Sequence, residues 1–317
     1  MATANKDVKV PLKSRLKAWW EGYDVADMEA KLLARLAREA KASAPKKDKA
    51  PVSKAEWDEA RIAVAQMVWG NGFCGPGGPE NVIAMSKLLA LSPKLSAMVV
   101  GAGLGGPSRV LAKEFGVWIS GYESSKELAE AGQQMSVDAG LEKKAHIHHK
   151  NLDDVYDFER QFDRAYSKEA MFTVENKSKL VEAIFGNLKE DGLFLITDYV
   201  IKDVDSLSDP DVIDWLRQEP VDPFPVTSGT TTRTLEAAGF NIRVNEDITD
   251  QYLGLITDAW ANADQIVATL SQQGEDAKAN LMAILSEAEF WSRRTKIMKS
   301  GQLRVCRYLA HKPSLVK

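Results

Sequence analysis

Between residues 97 and 197, short apolar runs alternate with amphipathic stretches at a spacing that few folds satisfy. The apolar runs are 97–100, 117–121, 145–149, 162–166 and 193–197. Helical patterns at 107–115, 125–139 and 177–188 separate most of them. Strand–helix alternation of this kind predicts a parallel sheet covered by helices on both faces. Beyond it the pattern predicts a helix at 227–238, a strand at 241–245 and a helical stretch at about 250–298. Gly301 then stops that helix before a last strand at 303–310.

The N-terminal side is different in kind. Leu16, Trp19, Trp20, Tyr23, Met28, Leu32, Leu33 and Leu36 fit one helix face, broken near residues 22–24. Residues 41–53, KASAPKKDKAPVS, have the composition of an exposed linker. These features divide the chain into a helical arm and linker at 1–53 and a domain at 54–317, with a helical insertion at about 250–300. Lys13, Arg15 and Lys17 beside two tryptophans could dock at lipid headgroups. The alternative is an arm packed on its own domain or on a partner chain. After the linker, Ser53 and Glu56 form a capping-box pattern before a second helix, 53–70.

Composition narrows the function classes. The net charge of −4 gives no basic footprint for nucleic acid. Two cysteines, Cys74 and Cys306, are too few for a disulfide framework or a thiolate zinc site, which points to a reducing, cytoplasmic setting. No apolar run reaches the roughly 18–20 residues of a membrane span. His146, His148 and His149 lie on a strand whose alternation splits them between two faces, and no third ligand is spaced beside them. No metal is expected.

VVGAGLGG, residues 99–106, follows the first apolar run. Gly101, Gly103 and Gly106 match G-x-G-x-x-G, a pattern that lets backbone approach a ligand at a helix N-terminus. Glu123 ends the second strand, where an acid suits a ribose diol. Both features serve NAD and S-adenosylmethionine equally. Three later segments separate the two ligands: NLDD at 151–154, FDRAYSKEAM at 162–171 and LKEDGLFLITDY at 188–199. In this order they resemble class I S-adenosylmethionine-dependent methyltransferases. The implied fold is a Rossmann-like α/β architecture with a mixed seven-stranded sheet, helices on both faces and a helical lid.

The loop WGNGFCGPGGPE at 69–80, with SKEAMFTVENKSKL and FWSRRTKIMKSGQLRVCRYLAHK, is similar to the phosphoethanolamine N-methyltransferase family. The resemblance covers about 54–312 and is weakest at 200–285. It implies that Gly101, Gly103 and Gly105 line the methionine end of S-adenosylmethionine, that Glu123 holds the ribose and that Asn151 meets the adenine. Cys74 in the glycine loop is a further candidate for the cofactor pocket. Ser167 and Glu169 fall on the loop beside the transferred methyl. Tyr199 and Arg294 match phosphate-contacting positions.

Several positions depart from the family pattern. Trp57 and Thr173 stand near a catalytic tyrosine–histidine pair that this chain lacks. VDPFP at 221–225 lacks the Arg and Tyr of a second phosphate clamp. Val99 replaces an acid that helps hold the cofactor's ammonium.

Methyl transfer from a sulfonium is an in-line displacement that needs alignment, a dry site and a deprotonated nucleophile. Glu169 is the candidate base or cation anchor. Asp198, at the end of the fifth strand, is either functional or a buried ion-pair partner. The implied function is metal-independent methyl transfer to a small-molecule acceptor, an amine or lipid-headgroup-like nitrogen. The alternatives are oxygen or carbon methylation of a hydrophobic, membrane-derived acceptor, and a catalytically silent binding protein. No nucleic-acid partner is expected, and peripheral membrane or protein contact is assigned to the arm.

Overall fold

A computed structural model describes residues 25–43, 57–158, 160–272, 274 and 277–314. In chain order the helices are α1 (Val25–Ser43), α2 (Glu59–Trp69), α3 (Gly78–Ser86), α4 (Gly106–Glu114), α5 (Lys126–Asp138) and α6 (Lys177–Asn187). They continue with α7 (Pro210–Gln218), α8 (Ser228–Ala237), α9 (Thr249–Trp260), α10 (Ala263–Leu270) and α11 (Ala277–Lys299). The strands are β1 (Ser96–Val100), β2 (Trp118–Glu123), β3 (Ala145–His149), β4 (Phe162–Lys168) and β5 (Leu188–Ile201). After them come β6 (Val226–Thr227), β7 (Asn241–Asp247) and β8 (Leu303–His311).

The sheet runs β3-β2-β1-β4-β5-β8-β7. Its seven strands make the mixed sheet that was expected. An eighth strand, β6, has two residues and pairs with the end of β5. β8 is antiparallel to β5 and β7, and the other pairings are parallel. β1 is the turning point of the strand order, with β2 on one side and β4 on the other. In open α/β sheets the crevice at the carboxyl ends of such strands binds ligands.

Alternation along β1 explains the two-sided core. Ala97 and Val99 enter one apolar cluster, and Met98 and Val100 enter the other, on the opposite face. Val99 is buried opposite Gly121 and Tyr166 in neighbouring strands, where a charged side chain would lack water.

Three local expectations are corrected. The second helix starts at Glu59, because Asp58 accepts from Arg61 N at 2.8 Å and caps it. Ser53 and Glu56 lie outside the described residues. α7 was not expected, although Asp209 followed by Pro210 is a cap and first-turn signal, and the Asp209 carboxylate accepts from Asp211 N at 2.8 Å. The insertion is three helices rather than one continuous stretch.

Most of the predicted arm, including Trp19 and Trp20, lies outside the described residues. Its described part, α1, packs on the domain. Leu33, Ala34 and Ala37 are buried, and Arg38 and Lys41 form ion pairs with Glu175 and Asp222. No described helix is long and apolar enough to cross a membrane.

Candidate active site

The glycine run leaves β1 and turns under the end of β2. Gly101 N and Ala102 N both donate to Tyr122 O, at 2.9 and 3.0 Å. Gly101 has φ 74°, and a Cβ there would sit 2.0 Å from the Ala170 Cβ. A side chain at Gly101 would therefore push apart the loops after β1 and β4. The loop at 70–77 closes over the same place. Gly106 N donates to Gly72 O at 2.9 Å, and a Cβ at Gly106 would approach that oxygen to 2.4 Å.

Arg109 braces the run from behind. Its guanidinium donates to Leu104 O at 2.8 Å and Gly132 O at 3.1 Å. Glu123 braces it from the front. Its two oxygens accept from Gly103 N at 2.7 Å and Ser125 N at 2.9 Å. Burial raises the Glu123 carboxyl above the usual range, and those backbone donors pull it partly back.

These elements wall a cavity of about 370 Å³. That volume lies within the usual range for small-ligand sites. The structure brings Gly101, Gly103, Glu123, Cys74, Glu169, Tyr199, Arg294, Trp57 and Thr173 into its lining. Three candidates fall outside it. Gly105 caps α4 behind the loop, where a Cβ would meet Ile147 and Arg109. Asn151 is exposed and folds onto its own turn, donating to Asp154 Oδ2 at 2.8 Å and accepting from Asp153 N at 3.1 Å. Leu152 lines that corner instead. Ser167 is fully buried within β4, and its hydroxyl has no hydrogen-bond partner among the described residues.

Glu169 follows β4 with φ 45°, a strained backbone for a residue with a side chain. The strain is held by three contacts. Glu169 N donates to Thr197 O at 2.7 Å, Thr197 Oγ1 donates to Glu169 Oε1 at 2.7 Å, and Lys168 pairs with the other oxygen. Tyr199 reaches the cavity from β5, with its hydroxyl 2.7 Å from that of Tyr252. Thr173 Oγ1 is turned to Ala170 O at 2.9 Å. Burial pushes the Cys74 thiol up to about 12, so it is protonated at neutral pH.

Several partners within the cavity wall carried no signal along the sequence. Arg61 stacks 3.9 Å from the Trp57 ring centroid and donates to Glu287 Oε1 at 2.5 Å. Arg294 is held by Glu219 through two bonds of 2.6 Å. Burial works against the Arg294 charge, and Glu219 more than offsets it, keeping the guanidinium protonated. Tyr252 and Trp291 come from helices far along the chain. These partners lie about 50 to 230 residues apart, so no local motif could reveal them. α7, whose C-terminal end presents Glu219, was the one readable clue.

Asp198 lies beneath the site rather than in it. Burial pushes its carboxyl up and the nearby Lys177 ammonium down. On β3, the His146 and His148 rings lie 4.3 Å apart, while His149 Nε2 meets Ser124 O at 3.1 Å.

A phosphoethanolamine N-methyltransferase of Triticum aestivum is 27% identical over 222 residues, 68% of this chain and 42% of that protein. The chain thus spans less than half of that relative's length. A phosphoethanolamine N-methyltransferase of Plasmodium falciparum is 22% identical over 81% of this chain and 93% of its own length. The solved Haemonchus contortus phosphoethanolamine N-methyltransferase 2, in complex with phosphomonomethylethanolamine and S-adenosylhomocysteine, superposes with a TM-score of 0.65. Its identity is 18%, over 80% of this chain and 57% of that one, a likeness of fold. The family model described as mycolic acid cyclopropane synthetase matches residues 81–292. By that match the chain belongs to the mycolic acid cyclopropane synthetase family, and its fold is that of the class I S-adenosylmethionine-dependent methyltransferases.

Proposed function

We propose that this protein transfers a methyl group from S-adenosylmethionine to the nitrogen of a small amine. The observation that carries the reading is the position of Glu169. A carboxylate on a strained backbone faces the same cavity as Gly101, Gly103 and Glu123. The named relatives act on an amine, and the fold is theirs.

The residues fit the cofactor. Gly101 and Gly103 expose backbone at the crevice, and Glu123 offers oxygens with lone pairs left for a ribose diol. When bound, S-adenosylmethionine supplies an electrophilic methyl carbon. Trp57, Phe172 and Trp291 exclude water from the other half of the cavity. Glu169 orients the amine and takes its proton as the nitrogen attacks, while Thr197 and Lys168 keep the carboxylate in place. Tyr199 and Tyr252 present a hydroxyl pair to the acceptor's polar end.

One observation favours a second reading, oxygen or carbon methylation of an apolar acceptor. Each cation on the cavity wall is already paired with a carboxylate, so much of the surface offered to the acceptor is aromatic.

The test is methyl transfer from labelled cofactor to panels of amines, phenols and quinols. The expected result is a methylated amine, with turnover falling about a hundredfold in Glu169→Gln. Transfer to phenols or quinols alone selects the second reading. Cofactor binding without transfer to any acceptor class contradicts both.

A further inference from the structure

Glu219 sits where an anion would be gripped. Its side chain is 3% exposed and lies at the end of α7, on the cavity wall. Oε1 accepts from Arg294 Nε at 2.6 Å and from Trp215 Nε1 at 2.5 Å, and Oε2 accepts from Arg294 Nη2 at 2.6 Å. This is the two-pronged arrangement by which a guanidinium holds a carboxylate or a phosphate. The protein's own carboxylate fills the fork.

The other cations on the described wall are already engaged. Arg61 is engaged by Glu287 and Lys168 by Glu169. Asp222, two residues beyond the Pro220 that also lines the cavity, is paired with Lys41 of α1. A phosphate entering beside Arg294 would have to displace a tethered competitor and then share a dry cavity with it. Two like charges close together in a poorly solvated site repel strongly.

We propose that Glu219 is a specificity residue that excludes phosphate-bearing acceptors by occupying the Arg294 fork, so that the acceptor is an amine without an anionic group. This inference rests on reading the cavity as the acceptor site. Arg294, expected to clasp phosphate, instead presents a neutralised pair. The aromatic faces of Trp291 and Tyr199, 4.7 and 5.4 Å from the guanidinium carbon, pack it in place.

The experiment compares the wild-type chain with E219Q and E219Q/R294M. The glutamine keeps the shape and the acceptor oxygen but removes the charge. Inorganic phosphate and phosphoethanolamine are the probes, at matched ionic strength, by thermal shift and by calorimetry with S-adenosylhomocysteine present. The wild type is expected to ignore both anions at millimolar concentration. E219Q is expected to bind them at least about tenfold more tightly and to melt higher in phosphate. E219Q/R294M is expected to lose that response.

Wild-type binding of phosphoethanolamine that disappears in R294M overturns the proposal, and this comparison needs no folded E219Q. An E219Q protein that folds and stays indifferent to both anions overturns it as well. Binding readouts keep this apart from the proposed activity. A chain that methylates no amine yet shows the phosphate response loses the functional reading and keeps the role of Glu219.

Discussion

The hydroxyls of Tyr199 and Tyr252 stand 2.7 Å apart on the cavity wall, one carried by β5 and the other by α9. Burial holds both well above the ordinary tyrosine value of 10.0, so both remain protonated donors. The pair lies against Lys168 on one side, 5.7 Å from the Tyr252 ring, and Arg294 on the other, 5.4 Å from the Tyr199 ring. Tyr252→Phe removes one partner and leaves the other hydroxyl unsatisfied. Steady-state kinetics are expected to show kcat/KM for the acceptor reduced about tenfold, with S-adenosylmethionine affinity unchanged. A variant that lowers only cofactor affinity contradicts the assignment.

Glu123 sets a pH dependence. Its folded value is raised above 4.5 by burial, so the carboxylate is lost at higher pH than in a free glutamate. Cofactor affinity is therefore expected to fall on acidification, with a midpoint above 4.5. The free protein responds in the opposite sense. The stability that Glu123 contributes is full below 4.5 and is lost as the pH rises through the raised value. Calorimetric titrations across pH check the first trend, and Glu123→Gln flattens it. A midpoint at or below 4.5 contradicts the burial argument.

How far the sequence carried the structure depends on distance along the chain. Strand–helix alternation and the glycine run were legible because each is local. They located β1 through β5, the Gly101 turn and Glu123. Glu169 was placed by the resemblance of its loop, and it lines the cavity beside Gly101. Asn151 was placed by analogy of position, and its amide instead closes an Asx turn with Asp153 and Asp154. Arg294 was placed by resemblance as a phosphate contact; it lines the cavity, where Glu219, 75 residues earlier, holds it. Val99 reads differently as well: it is a core residue between two strands, and the cavity does not include it.

The described part of the arm is structural to the domain. Leu33 is fully buried, Arg38 pairs with Glu175, and Arg217 Nε donates to Lys41 O at 3.0 Å beside the Asp222 pair. Leu33→Ala is expected to cost about 2–5 kcal/mol by denaturant unfolding. A chain beginning at Ser53 is expected to melt lower and to show a raised acceptor KM, because the segment after Glu219 loses its anchor. Unchanged melting and unchanged KM would mean that α1 does not support the site.

Titration of S-adenosylmethionine into the wild-type chain and into Glu123→Ala tests whether the cavity is the cofactor site. One cofactor per chain is expected to bind the wild type, with affinity at least about tenfold weaker in the variant. No detectable binding at about 1 mM cofactor, or equal affinity in the two proteins, would contradict Glu123 as the ribose-holding wall of a cofactor cavity.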